Sequence, residues 1–202
     1  MSNDELIKLF PTPISILKYN KDITKELEYI ENGIKYFKME SDGNLRSTDS
    51  YLLEHNQLLD IRKFIEEGAD VVINSRNPAE LTAAAISLGN CNSIAGDLSN
   101  PADALATITK AAEILGGIDI VVCNVGSGSS VPPGQETYNE WRRVFDVNFF
   151  SATNLIEASR AFLGESKGSI VCISSICGNE TIPGAPVTYS VAKSALNTYV
   201  KS

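Results

Sequence analysis

From Gly68 onward, continuous apolar runs alternate with amphipathic stretches, and this alternation limits the fold more than any other feature of the sequence. The runs Asp70–Asn74, Ile118–Cys123 and Ser169–Ser174 are rich in β-branched residues and contain no proline. Such runs are typical of strands that are covered by helices on both faces. We therefore predict an α/β fold with a doubly wound parallel sheet over residues 68–202.

Residues 1–67 have a different texture and are predicted to form an α+β appendage of different origin. Pro13–Tyr19 (PISILKY) is predicted to be a short strand, Asp22–Ile34 a helix, Gly43–Ser50 a polar loop and Leu52–Glu67 a second helix. No chemistry is visible in this part. The junction with the second part is predicted to fall within FIEEGAD, residues 64–70.

Charge and composition exclude several classes of function. The net charge of −8 does not favour binding to nucleic acid or to an anionic membrane, and 43% hydrophobic residues suffice for a core. No apolar run approaches the roughly 20 residues of a membrane span, and MSNDELIKLF lacks the profile of a signal peptide. These features predict a cytoplasmic protein.

The cysteine and histidine content argues against a metal site. The four cysteines show no CxxC spacing, and they are interpreted as free thiols rather than as disulfides or zinc ligands: Cys91, Cys123, Cys172 and Cys177. The single histidine, His55, is not part of an HxD or HExxH motif. We therefore predict no metal centre.

The residues just past each predicted strand lie at the edge where parallel sheets bind their ligands. They are Ser75 and Arg76, Asp97 and Leu98, Asn124 to Gly126, and Ser174 and Ser175. On the predicted helix beyond the last strand, Tyr189 and Lys193 are four residues apart, so their side chains share one face. A cation close to a phenol favours its ionised form, which suits the phenol to proton transfer.

These motifs, in this order, resemble the middle of a short-chain dehydrogenase/reductase over residues 68–202, which implies an incomplete Rossmann-like sheet. By this resemblance, Tyr189 of the YxxxK motif is the catalytic acid/base, and Lys193 lowers its pKa and binds the nicotinamide ribose. Ser175, which precedes Ile176, Cys177 and Gly178 as in the S-x-x-G pattern, orients the substrate carbonyl, and Ser174 is the less favoured serine. Asn148 in FDVNFFSA positions a water relay to the lysine.

The same resemblance implies a cofactor site. CNVG at Cys123–Gly126 stands where the family has NNAG, so Asn124 and Gly126 are retained. Asp97 binds the adenine, with Leu98 beside it. Arg76 after the second strand is suited to a 2′-phosphate, so NADP(H) is favoured over NAD(H). The alternative is an arginine that is simply solvated in a turn.

The implied activity is that of an NAD(P)-dependent oxidoreductase, which transfers hydride between nicotinamide and a small-molecule carbonyl or secondary alcohol. The alternatives are a catalytically inactive chimeric or truncated product and a non-enzymatic binding module. The helices around Asn148 and Tyr189 are expected to support homo-oligomers. Because the chain stops at Ser202 within the second of these helices, we expect the last strands and the substrate loop of the family to be missing.

One element of the family pattern is missing at the front of the sheet. The family begins with a strand and a GxxxGxG turn that holds the pyrophosphate, whereas the glycines before Gly68 are Gly33 and Gly43 alone. Without that strand, the strands at Asp70–Asn74 and Ile118–Cys123 would have unpaired backbone groups. We therefore hypothesise that PISILKY fills the gap between them.

Residues 1–67 carry a second, separate resemblance. LFPTPISILKY, GNLRSTDSYLL and LLDIRKFIEE together resemble the N-terminal portion of 2-oxoglutarate/iron(II) oxygenases of phage and marine bacteria. The metal-binding motif of those proteins lies further along and is not continued here. No iron or 2-oxoglutarate chemistry is therefore expected.

Overall fold

The computed structural model describes the backbone of residues 14–18 and the whole of residues 61–202. The predicted helix at 22–34, the predicted loop at 43–50 and the start of the helix predicted from residue 52 lie outside these ranges. Residues 61–66 of that last helix are helical and are called α1.

The described residues form one five-stranded sheet with the strand order β3-β2-β1-β4-β5. The strands are β1 (Ile14–Lys18), β2 (Asp70–Ser75), β3 (Asn92–Ala95), β4 (Ile120–Cys123) and β5 (Ser169–Cys172). Two pairs of neighbours, β2 with β3 and β4 with β5, are parallel. This is the order expected when chain segments wind outward in both directions from the centre of a sheet.

The central position is occupied by β1, which pairs with both β2 and β4. Ile16 lies opposite Val72 on one side and opposite Val121 on the other. The hypothesis that PISILKY fills the gap is therefore confirmed. The strand is antiparallel to both neighbours, however, so the sheet is mixed rather than wholly parallel as predicted. The pairing of strands satisfies backbone groups in either orientation, so the gap alone does not determine the direction of its occupant.

Helices cover the sheet. After α1 come α2 (Pro78–Ser87), α3 (Pro101–Leu115), α4 (Tyr138–Phe145), α5 (Ser151–Ser166) and α6 (Val187–Lys201). Asn77 and Asn100 cap α2 and α3, and a proline follows each cap at the first helical position. This pairing of an N-cap side chain with a pre-set proline makes both helix starts readable from sequence.

The helix predicted around Asn148 is interrupted. Asp146–Phe150 forms one π-helical turn between α4 and α5. Such turns contain i→i+5 hydrogen bonds and an extra residue, and they often occur at functional sites. Asn148 lies in the middle of this turn.

Two apolar cores flank the sheet, and β2 contributes to both. Val71 and Ile73 pack with α1 and α2, whereas Val72 packs with α3 and α5 on the other face. Ile61 and Phe64 of α1 belong to the first core. The predicted α/β fold is thus confirmed, and within the described ranges no helix is both long and apolar enough to span a bilayer.

The central pairing can be tested with Ile16→Pro. Proline removes a backbone donor between two paired strands, and each group left unsatisfied costs about 1 to 3 kcal/mol, so we expect the free energy of unfolding to fall by at least about 2 kcal/mol. Ile16→Val keeps the donor and should cost less than about 1.5 kcal/mol. Urea unfolding followed by circular dichroism measures both, and equal midpoints for the two variants would show that β1 does not hold the sheet together.

Candidate active site

The four predicted catalytic residues and Gly126, predicted for the cofactor, meet where the carboxyl ends of β4 and β5 approach α6. Gly126 follows β4, Ser175 follows β5, Asn148 comes from the π-helical turn, and Tyr189 and Lys193 come from α6. Segments distant in sequence thus deliver these five residues to one edge of the sheet.

Lys193 is the most deeply buried charged residue of this group. Its side chain is only 3% exposed, and its Nζ donates to the carbonyl oxygen of Ile173 at 2.9 Å. The same Nζ lies 5.9 Å from the ring centroid of Tyr189, as the four-residue spacing predicts. The carbonyl of Ile173, which the sequence did not single out, therefore holds the ammonium in place below the phenol.

The two serines after β5 have different partners. Ser175 lies beside the phenol of Tyr189, whose pKa it lowers, and its Oγ accepts from the backbone N–H of Cys177 at 3.2 Å. The Oγ of Ser174 is bonded instead to Oδ1 of Asn197. Ser175 is thus the serine beside the phenol, and Ser174 serves to attach the loop to α6.

Asn148 clamps the loop that follows β4. The side chain is 1% exposed; its Oδ1 accepts from the N–H of Ser127 at 2.8 Å. Its Nδ2 donates to the carbonyl oxygens of Ser127 at 3.1 Å and Val144 at 3.0 Å. Both amide hydrogens are therefore committed to backbone carbonyls, one in the loop after β4 and one in α4. The predicted water relay stays a prediction.

Gly126 lies between this asparagine and the lysine. A Cβ added at Gly126 would be 3.0 Å from Oδ1 of Asn148 and 3.1 Å from Nζ of Lys193. Those distances are shorter than ordinary van der Waals contact, so any larger residue would displace one of the two side chains. Gly128, two residues further along the same loop, has open space at the same position.

A second set of contacts, which sequence reasoning missed, attaches this loop to α4 and α6. The Oγ of Ser130 lies 2.7 Å from both Oγ1 of Thr188 and Oε1 of Glu140. Arg143 pairs with Glu140 and also donates to the carbonyl of Ser129 at 2.8 Å. The hydrogen bonds from Arg143 and Ser130 lower the pKa of Glu140 to about 2. Isolated serines and threonines carry no sequence signal for such a network, because its partners are far apart along the chain.

Burial dominates the electrostatics of the tyrosine-lysine pair. Desolvation lowers the pKa of Lys193 from 10.5 to about 8, against the opposing influence of Cys172 and Cys123. Desolvation also raises the pKa of Tyr189, and the hydrogen bond from Ser175 offsets this only in part. The loss of water around the phenol is thus the largest influence on its pKa, and the predicted lowering by Lys193 stays a prediction.

Cys123 and Cys172 lie opposite each other on β4 and β5, near this lysine. All four cysteines have free thiols, as interpreted from the sequence, although only Cys123 is fully buried. The hydrogen bond between the two thiols raises the pKa of Cys123 and lowers that of Cys172. Within the described residues, no group of three or more His, Cys, Asp or Glu side chains is placed to hold a metal ion.

The residues predicted for the adenosine end lie along the other half of the edge. Arg76 directly follows β2 and is exposed. Oδ1 of Asp97 accepts from the N–H and the Oγ of Ser99, at 3.0 and 2.8 Å. Leu98 is 2% exposed and belongs to the core, and Asn124 is also buried. The structure thus leaves Arg76 open to solvent while the side chain of Leu98 packs inward.

The buried lysine yields a pH-dependent prediction. Between the lowered pKa of about 8 and the usual 10.5, the unfolded chain binds more protons than the folded chain, so stability rises with pH. Below pH 8 both states are protonated, and the cost of burying the ammonium applies in full. Relative to Lys193→Met, the wild type should gain about 2 to 3 kcal/mol in free energy of unfolding between about pH 7 and about pH 10.

Urea unfolding of both proteins across this pH range makes the measurement. Tyr189 and the thiols are present in both chains, so most of their titration cancels in the comparison. A difference in stability that stays constant with pH would mean that Lys193 keeps its ordinary pKa.

Comparison with known proteins identifies the family. Residues 61–202 match the short chain dehydrogenase family, a few residues earlier than the start predicted at Gly68. The boundary between residues 67 and 68 and the oxygenase resemblance of residues 1–67 stay predictions.

Individual proteins agree with this match. The chain is 34% identical, over 142 residues, to the uncharacterized oxidoreductase YvrD of Bacillus subtilis, an overlap of 67% of this chain and 52% of that protein. A short chain dehydrogenase from Mycobacterium smegmatis aligns with a TM-score of 0.64 and 26% identity, covering 68% of this chain and 60% of that one.

An alcohol dehydrogenase from the archaeon Thermococcus sibiricus, solved with 5-hydroxy-NADP, shares the fold. It aligns with a TM-score of 0.60 at 21% identity, covering 64% of this chain and 57% of that one. The chain spans about half the length of the curated relatives it matches. From its family match, its fold and the arrangement of its site, the chain belongs to the short-chain dehydrogenase family of oxidoreductases.

Proposed function

We propose that the chain transfers hydride between a nicotinamide cofactor and a small carbonyl compound or secondary alcohol. The observation that carries this proposal is the Ser175 hydroxyl beside the phenol of Tyr189, one turn from the buried Lys193. Two neighbouring hydroxyls can bind one carbonyl oxygen and stabilise it as its charge changes. Membership of an oxidoreductase family supports the redox character of the reaction.

The nicotinamide end of the cofactor fits the residues present. Gly126 leaves a space that a Cβ would fill, between Oδ1 of Asn148 and Nζ of Lys193. Lys193 is placed to hold the ribose hydroxyls there. When bound, the nicotinamide supplies or accepts the hydride.

The pyrophosphate end does not fit in the same way. The carboxyl end of β1, Lys18, lies opposite Asp70 at the edge away from the site, whereas the glycine-rich turn of the family follows a strand that ends at the binding edge. We therefore derive no role for this chain in binding the two phosphates.

Tyr189 is the proton donor in the direction of reduction. Because its pKa is raised, the phenol is protonated at neutral pH and can deliver its proton to the carbonyl oxygen as that oxygen becomes an alkoxide. Ser175 donates its hydroxyl hydrogen to the same oxygen and fixes its position. Lys193, held by the carbonyl of Ile173, stabilises the phenolate that remains once the proton has left.

The cofactor preference is also a proposal. Arg76 stands exposed directly after β2, where a guanidinium can form charge-assisted hydrogen bonds to a 2′-phosphate. We therefore propose NADP(H) in preference to NAD(H). The cytoplasmic location and a homo-oligomeric state remain proposals from the sequence.

A second candidate, an inactive chimeric product or a binding module, is favoured by one observation. The central strand is antiparallel to both neighbours, so its carboxyl end, after which the family has its phosphate-binding turn, lies at the edge away from the site. This candidate predicts that no nicotinamide compound binds, even at millimolar concentration.

Tyr189→Phe tests the proposed chemistry. Loss of the proton donor should reduce kcat by about 10²- to 10⁴-fold while cofactor binding is retained. Tyr199→Phe is the matched control on the same helix, since that hydroxyl bonds to Glu157 on α5 and lies outside the site. Oxidation of reduced cofactor with a panel of aldehydes and ketones gives the rates; a Tyr189→Phe enzyme with the wild-type rate would exclude Tyr189 as the acid.

Arg76→Gln tests the cofactor preference. Removal of charge-assisted hydrogen bonds to the 2′-phosphate should weaken NADPH binding by about 10- to 100-fold and leave NADH binding within about threefold. Arg160→Gln serves as the control, because Arg160 pairs with Glu157 on the surface of α5. Calorimetric titration compares the affinities. Equal weakening for NADPH and NADH would show that Arg76 does not read the phosphate.

A further inference from the structure

Two cysteines lie side by side at the point where the loops that carry the site leave the sheet. Cys123 is the last residue of β4, Cys172 is the last residue of β5, and the two are directly paired across the parallel ladder. Both side chains pack in the same apolar core. Neighbouring strands lie about 4.7 to 4.9 Å apart, within the range of roughly 4.4 to 6.8 Å between Cα atoms that a disulfide spans.

The two thiols differ in their access to solvent. Cys123 is 2% exposed, and its Sγ lies 4.0 Å from the carbonyl oxygen of Ala152 on α5. Cys172 is only partly buried. A small oxidant can therefore reach Cys172 from solvent, whereas Cys123 is shielded and is placed to react with its neighbour.

The charges around the pair favour the same order of reaction. Each thiol is the largest influence on the pKa of the other, so the two sulfur atoms are close. Cys123 and the ammonium of Lys193 lower the pKa of Cys172, whereas Cys172 and burial raise the pKa of Cys123. Because the thiolate is the reactive form of cysteine, Cys172 is the nucleophile of the pair.

We propose that Cys123 and Cys172 form a paired-thiol modification site, which hydrogen peroxide oxidises to a disulfide across the ends of β4 and β5. The sulfur of Cys172 attacks one oxygen of the peroxide, the O–O bond breaks, and water leaves with the thiol proton. Cys123 then attacks the resulting sulfenic acid, so that an S–S bond forms, the S–O bond breaks and a second water leaves. The two electrons lost by the thiols reduce the peroxide.

The bond would join the bases of both loops of the site. Ile173, which follows Cys172, donates its N–H to the carbonyl oxygen of Cys123 at 3.0 Å and accepts from Nζ of Lys193 at 2.9 Å. Gly126, three residues after Cys123, approaches the same Nζ. The disulfide would therefore form beside the anchor of the buried ammonium. This modification does not depend on the proposed function.

Peptide mapping of the oxidised full chain tests the proposal. After peroxide treatment and blocking of the remaining thiols, trypsin releases Cys123 within residues 111–142 and Cys172 within residues 168–193. We expect mass spectrometry to find these two peptides joined, with the loss of two hydrogen atoms. Since the second peptide also contains Cys177, fragmentation of the joined pair identifies which of its cysteines is bonded.

Serine variants separate the roles of the cysteines. Cys172→Ser should abolish the joined peptide. Cys177→Ser is the matched control and should form it as the wild type does, because Cys177 lies in the short helical turn after β5 rather than on the strand. In Cys123→Ser, the oxidised sulfur of Cys172 has no partner, so dimedone, which reacts with sulfenic acids, should label it.

Three results would overturn the proposal. They are a joined peptide in which Cys177 replaces Cys172, a disulfide between two copies of the chain on a non-reducing gel, and four free thiols after treatment of the folded protein. All three are read on the wild-type chain, so the test stands even where a serine variant does not fold.

Discussion

The backbone pairing of β1 with both of its neighbours is the interaction on which the rest of this structure depends. Val72 and Val121 belong to the strands on either side of it, and both side chains are completely buried. If β1 were removed, these central strands would each keep a row of backbone groups with neither a partner nor water. Both apolar cores and the edge that carries the site require β2 and β4 to be separated by one strand. A segment of unrelated texture supplies that spacing.

The same strand separates the site into two halves with different properties. The half built on β4, β5 and α6 contains a buried lysine held by a carbonyl and a serine-tyrosine pair, all fixed by contacts among residues 123–197. The half around the centre of the sheet depends on which end of β1 faces the ligand. Strand direction has little effect on the stability of pairing, yet it determines from which edge of the sheet the chain leaves the strand. Pairing and chain direction are therefore separate properties of one strand.

Several elements were predictable because they depend on local signals. The Asn-Pro pairs that begin α2 and α3, the unbroken apolar runs of β2 and β4, and the four-residue spacing of Tyr189 and Lys193 need no distant partner. The filling of the gap by PISILKY was also predictable, because a central vacancy requires a strand and few other segments could provide one. The separate roles of Ser174 and Ser175 were less accessible, since Asn197 and Tyr189 reach them only through the packing of α6 on β5.

By itself, the sequence determined the fold class, the order of the strands and helices, and the set of side chains gathered at the binding edge. The reason is that hydrophobic periodicity, helix caps and motif spacing are local patterns in the sequence. Only the tertiary structure decided the direction of β1, the π-helical turn at Asn148 and the raised pKa of Tyr189. The physical reason is common to all three. The direction of β1 depends on the strands with which it pairs. The π-helical turn depends on the contact between Asn148 and Ser127, and the pKa of Tyr189 depends on how much water the surrounding elements exclude. None of these is a property of a residue and its neighbours in sequence.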